Sequence, residues 1–405
     1  MRRQRGLIGL MGLAALVGLG FAARPAAARV TTEQSASILV FPKVIADGSR
    51  DTIIQITNTS NNMRHAHCFY VNGALTDPTL PEGPDNPPLW TEIDFDIWLT
   101  KQQPTHWVVS TGRLDNPLDS PCRVAGKLKQ CDPSTSGTDT ADCCDAGYDP
   151  GHVPPVVPDF MGELKCIEVD ASGFPVPGNS LKGEATLETL DTGDVSKYNA
   201  IGLKGFDTNN MDGVLCLGGP VSATCSSGAE YEACPATWIL DHPSIGASDP
   251  VVTEQDFCTD ATGTTINSCT SSVSTTLTVV PCTENFETQT PLPVTLQFAI
   301  TNEFEQVFSA STTFRCWASF NLEDINTIFR VENVGGDILQ TRMRSASGTP
   351  GGVMAVLEET HTDSFTIGGT SHTFVARAAQ NAHTTFQDQT VADIITIPAD
   401  QIQGQ

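Results

Sequence analysis

Thr91-Glu92-Ile93-Asp94-Phe95-Asp96-Ile97-Trp98-Leu99 alternates apolar residues with mostly acidic ones. In an extended chain successive side chains point to opposite faces, so Ile93, Phe95, Ile97 and Leu99 fall on one side and Glu92, Asp94 and Asp96 on the other. A helix would scatter the four apolar residues round its surface; a half-buried strand collects them. The segment therefore predicts a β-strand with one face inward and one acidic.

The same period recurs at Val294, Leu296, Phe298 and Ile300, and at Phe314, Cys316, Ala318 and Phe320. Shorter β-like runs cover Ser37 to Ile45, Thr52 to Thr57, His65 to Val71, Trp107 to Thr111, Leu164 to Val169, Ala185 to Leu190, Val353 to Leu357, His372 to Ala376 and Asp393 to Ile397. Turn residues punctuate them: Ile367-Gly368-Gly369-Thr370 predicts a tight hairpin, and Asp47-Gly48, Asn72-Gly73 and Asp191-Thr192-Gly193 supply the left-handed or Asx-turn positions that reversals need. Many short strands with frequent turns make the fold class all-β, of the sandwich or barrel kind.

Two stretches interrupt the pattern. Asn116 to Asp159 is rich in Pro, Asp, Ser, Thr and Gly, and Phe206 to Cys282 sets cysteines among Gly, Ser and Thr; both read as long loop insertions on a β core. A weak echo joins the halves: Ile56-Thr57-Asn58 precedes Cys68-Phe69 much as Ile300-Thr301-Asn302 precedes Cys316-Trp317. The expected organisation is a signal over residues 1–28, a first β-sandwich over 29–245 with a cysteine- and proline-rich insertion at about 116–159, and a second over 246–405.

The signal reading rests on Arg2, Arg3 and Arg5, the apolar run from Leu7 to Phe21, and an Ala-x-Ala-like site ending near Ala28. The run is interrupted by glycines and falls short of the about 20 apolar residues that span a bilayer, so no membrane insertion is expected after cleavage. The chain carries 22 Lys and Arg against 47 Asp and Glu, a net charge of −25, and the signal removes four arginines and no acid. Such a surface repels nucleic acid, which is excluded as a partner.

All 13 cysteines follow the signal, and no CxxC pair or haem-attachment motif occurs among them. In an oxidising compartment they read as disulfides, with an odd thiol left over and the connectivity open. The candidates in the two insertions are Cys122, Cys131, Cys143, Cys144, Cys216, Cys225, Cys234, Cys258, Cys269 and Cys282.

Two constellations bear on chemistry. His65 and His67, two apart on a strand, share a face and can offer two imidazoles to a metal, with His106 as a third ligand if its strand is a neighbour; the alternative is a pair of core or rim histidines. Asp207, Asn209 and Asp212 make an oxygen-rich loop that admits calcium but departs from the EF-hand pattern. No catalytic serine elbow or HExxH spacing occurs, and no organic cofactor is expected.

The segment Asp51-Thr52-Ile53-Ile54-Gln55-Ile56-Thr57-Asn58-Thr59-Ser60 resembles the strand and Asn-Thr turn of immunoglobulin-like domains in bacterial secreted proteins. Ser37 to Lys43 and Ala66 to Asn72 resemble uncharacterised exported bacterial proteins of similar size. The resemblance implies immunoglobulin-like sandwiches and brings no functional residues. The expected function is a secreted structural or adhesive binding scaffold in the periplasm, on the cell surface or outside the cell, with a carbohydrate, a surface protein or another copy of itself as partner. Its alternatives are an exported hydrolase or metal enzyme built on His65 and His67, and a calcium-dependent adhesion module.

Overall fold

Period-two alternation becomes strand almost wherever it occurs in the computed structural model, which describes residues 30–80, 82, 85–114, 150–249, 258, 259, 262, 264, 267–289, 292–346, 351–382 and 390–399. The signal and the cysteines Cys122, Cys131, Cys143 and Cys144 lie outside the described residues.

In chain order the first strands are β1 (Ile38–Ala46), β2 (Arg50–Asn58), β3 (Arg64–Asn72), β4 (Thr91–Leu99), β5 (Pro104–Val108), β6 (Phe160–Val169), β7 (Leu181–Thr189), β8 (Val195–Asn199) and β9 (Ile201–Leu203). The middle of the chain adds β10 (Val214–Leu217), β11 (Cys234–Pro235), β12 (Thr237–Pro243), β13 (Ser268–Pro281) and β14 (Glu284–Asn285). The last part contributes β15 (Pro293–Asn302), β16 (Val307–Arg315), β17 (Ala318–Asn321), two one-turn helices α1 (Leu322–Ile325) and α2 (Val331–Val334), then β18 (Ile338–Ser345), β19 (Val353–Ile367), β20 (Thr370–Asn381), β21 (Thr390–Val391) and β22 (Asp393–Thr396).

The all-β class is borne out, but the architecture of two immunoglobulin-like sandwiches with loop insertions is not. Among the described residues the strands form small sheets ordered β4-β3-β6-β1-β9, β5-β2-β7-β8, β12-β18-β15-β16, β17-β13-β19-β20, β10-β22-β14 and β11-β21. Pairing runs across residue 245: β10 joins β22, β11 joins β21, and β12 joins β18 along Thr237 to Pro243. One apolar core runs without a break from Ile38 through Trp238 and Phe298 to Ile397. The physical reason is that alternation says which residues face inward and is silent about which strand lies alongside. Phe206 to Cys282, expected as a loop, holds β10 to β13, whose partners lie far along the chain.

A second core, with Leu39, Phe41, Ile54, Ile56, Ile97, Trp107, Cys166 and Leu187, fills the space between the five-stranded sheet and β5-β2-β7-β8. The five-stranded sheet thus has an apolar core on each face. Gly162, opposite Asn72 at the end of the β3–β6 ladder, permits the close approach of the two strands there, since a Cβ would stand 1.9 Å from the Val71 carbonyl oxygen. The Gly368-Gly369 hairpin forms as expected, both glycines left-handed (φ 59° and 86°) and Ile367 paired with Thr370. The expected strand from Phe314 to Phe320 is instead broken. Cys316 takes a left-handed backbone (φ 58°), ending β16 and turning Trp317 so that its indole donates to the Pro42 carbonyl at 2.7 Å.

Disulfides join Cys68 to Cys166, Cys216 to Cys225, Cys234 to Cys282 and Cys258 to Cys269. The first links residues directly opposite on β3 and β6. Cys316 is free and buried. No helix among the described residues is long and apolar enough to cross a membrane.

Candidate functional site

His65 and His67 do share a face of β3, as their spacing requires, and β4 supplies that face with carboxylates: His65 pairs with Trp98, His67 with Asp96, Phe69 with Asp94 and Val71 with Glu92. His65 Nε2 lies 2.7 Å from Asp96 Oδ1 and its Nδ1 lies 2.8 Å from the Asp170 carbonyl, with the ring stacked on Trp98 at 3.9 Å. His67 Nδ1 reaches the same Asp96 oxygen at 3.2 Å, its Nε2 stands 3.5 Å from Asp94, and its ring stacks on Phe69 at 4.5 Å.

This arrangement fits the rim-histidine reading better than a metal centre. A carboxylate occupies the place between the imidazoles where a shared ion would sit, and both nitrogens of His67 face acids. Burial alone would depress the His67 imidazole, but Asp94 and Asp96 outweigh it and raise the pKa to about 9. A ring held as a cation is a poor ligand. Burial and then Asp94 push Glu92 up to about 7, while the two histidines hold Asp96 far below the usual carboxylate range despite burial. His106 is on β5, in the other sheet, with an exposed side chain, and is not brought to this row.

The calcium candidates sit in the turn before β10. Asn209 Oδ1 accepts from the Met211 amide at 2.7 Å and Asp212 Oδ1 from the Val214 amide at 2.8 Å, so these oxygens are engaged in turning the chain. Among the described residues, the side chains that converge as a metal set would be Cys234, Cys282 and Asp393, and there the two sulfurs are already bonded to each other.

A different place offers room for a ligand. A hollow of about 690 Å³ lies over β12-β18-β15-β16, lined among others by Thr237, Gln297, Ser309, Ser311, Arg342 and Arg344. Strand register builds it: Thr237, Arg344, Gln297 and Ser311 form one row across the four strands, and Arg342, Ala299 and Ser309 lie in the next. Arg344 donates through Nε and Nη2 to Gln297 Oε1 at 3.1 and 2.9 Å, which fixes the guanidinium plane. Arg342 is exposed and makes no ion pair among the described residues. Sequence reasoning missed this surface. The signal was present in Arg342-Met343-Arg344, an alternation that puts both cations on one strand face.

No protein-family model and no curated protein matches the chain. Among solved structures, the apo form of Pleurotus ostreatus lectin aligns over 92% of this chain and 88% of its own, at 12% identity and a TM-score of 0.15. A superposition that poor carries no argument about fold or ligand.

Proposed function

We propose that the chain is a secreted, disulfide-braced binding scaffold of the cell envelope or extracellular space, and that it holds a carbohydrate in the hollow over β12, β15, β16 and β18. The observation that carries the reading is the hollow's lining. Hydroxyls of Ser309 and Ser311, the Gln297 amide and two guanidinium groups offer the mixed donors and acceptors that sugar hydroxyls require, in a volume within the about 300–1,000 Å³ of ordinary ligand sites. Disulfides favour an oxidising compartment.

The test is a glycan array followed by calorimetric titration of any saccharide retained. The reading expects binding that falls at least about tenfold, roughly 1.4 kcal/mol, in Arg342→Ala/Arg344→Ala with an unchanged melting curve. A folded wild-type protein that retains no saccharide, acidic or neutral, overturns it.

A further inference from the structure

Lys165 is entirely buried, as are Glu163 beside it on β6 and, at 2% side-chain exposure, Glu284 on β14. The lysine Nζ lies 2.8 Å from Glu163 Oε2, in direct contact with Glu284 Oε2 and 3.5 Å from the Pro281 carbonyl. The remaining oxygens, Glu163 Oε1 and Glu284 Oε1, are buried and meet no donor while both acids are ionised; a proton on Glu284 lets it donate to Glu163. Phe69 and Phe286, stacked at 4.2 Å, belong to the apolar core around the group. An ammonium buried with two carboxyl groups in a dry core is costly, because burial removes the hydration of each ion, and a second carboxylate anion there would leave acceptors unpaired.

We propose that Lys165 and Glu284 are joined by an isopeptide bond between Nζ and Cδ, formed within the folded core with Glu163 as the proton acceptor. The Lys165 ammonium passes one proton to the Glu163 carboxylate. The freed amine attacks Cδ of the protonated Glu284 carboxyl, the Cδ–OH bond breaks, and the hydroxyl leaves with a second nitrogen proton as water. The third proton stays on the amide nitrogen, and Glu163 ends as a neutral acid. Both buried charges vanish, and the Glu163 hydroxyl gains the new amide oxygen as an acceptor.

Electrostatics favours the required protonation of the electrophile. Burial first, and the neighbouring Glu163 second, raise the Glu284 carboxyl well above its ordinary range, against the pull of Lys165. The resting amine is held protonated, since the two glutamates outweigh the effect of its burial, so the transfer to Glu163 is the step that releases the nucleophile. No oxidant, metal or cofactor enters. The bond would close a loop of 119 residues and fasten the five-stranded sheet to β10-β22-β14.

Tryptic peptide mapping of the full chain, reduced, alkylated and denatured, tests this. The expected map lacks cleavage after Lys165 and contains a branched species uniting the Lys165 and Glu284 segments, lighter than their sum by one water beyond the hydrolysis of the backbone. Lys165→Arg removes the branch, and Glu163→Gln, where the purified protein remains folded, leaves the two segments separate. Free peptides ending at Lys165 in the wild-type digest overturn the proposal without any variant. A branch that persists in folded Glu163→Gln overturns the role given to Glu163.

Discussion

Two polar groups lie on the same face of the five-stranded sheet, a few residues apart, and behave oppositely. At the edge, His65, His67, Asp94 and Asp96 form a row in which the imidazoles are buried and the carboxylates are 44 and 46% exposed. Further in, Lys165 and Glu163 stand opposite Phe69 and Val71 on β3 and reach Glu284 with no access to water. In the row, water solvates the acids, which remain ionised and draw His67 into its cationic form. In the sealed group Glu284 is driven neutral, the form from which the proposed amide is made, because nothing solvates a second anion. Charge state on this face is therefore decided by distance from the rim.

The largest expected effect comes from breaking the sealed group. Lys165→Met removes the proposed cross-link together with the ion pair from which it forms and leaves two carboxyls facing each other in the core; loss of one partner from a buried ion pair by itself costs about 3–5 kcal/mol. Urea denaturation should show this as a lower midpoint, and a midpoint unchanged from wild type would mean that the group does not brace the fold. The free thiol nearby reports the same seclusion. Burial, then Glu284 and Glu163, push the Cys316 thiol up, so it should resist maleimide in the folded protein and react on unfolding.

The rim row gives a smaller and pH-dependent effect. His67 has a folded pKa of about 9 against 6.5 unfolded, so its stabilisation is complete below pH 6.5 and is lost as pH rises through 9. Full linkage over that interval would be worth about 3 kcal/mol, which the half-exposed carboxylates should reduce to about 1–2 kcal/mol. Melting temperatures between pH 6 and 10 should fall more steeply for wild type than for His67→Gln. Parallel curves would show that the imidazole is not held cationic.

Strand identity was legible because burial writes itself into alternation, as in Thr91 to Leu99, where β4 has the expected ends. The echo between halves holds at the asparagines and fails at the cysteines, since Cys68 lies in β3 whereas Cys316 falls between β16 and β17. Asn58 and Asn302 each end a strand and each accept an amide two residues on, from Ser60 and Phe304. Partnership was not legible: nothing local in Val214 to Leu217 names Asp393 to Thr396 as its neighbour, and nothing in Cys68 names Cys166. The histidine pair was visible from spacing alone, whereas Asp94 and Asp96 looked like an outward acidic ladder until register set them against the imidazoles. Lys165 lies unmarked within the β-like run Leu164 to Val169, since its partnership with Glu284 depends on a fold that brings β14 to β6.

The smallest effects separate the two rim carboxylates. Asp96 contacts both imidazoles, at 2.7 and 3.2 Å, whereas Asp94 stands 3.5 Å from His67 alone. Asp94→Asn and Asp96→Asn should each lower the His67 pKa, because each carboxylate both accepts from the ring and attracts its charge. Asp94 also acts in the other direction along the strand, where its charge adds to burial in raising Glu92 to about 7. In Asp94→Asn, both groups should titrate at lower pH: His67 because it loses an attracting anion, Glu92 because it loses a repelling one. Carbon-detected NMR titration resolves the two. If Glu92 stays near 7 while His67 moves, burial alone sets that carboxyl, and the rim would then share with the sealed interior the rule that desolvation outweighs neighbouring charge.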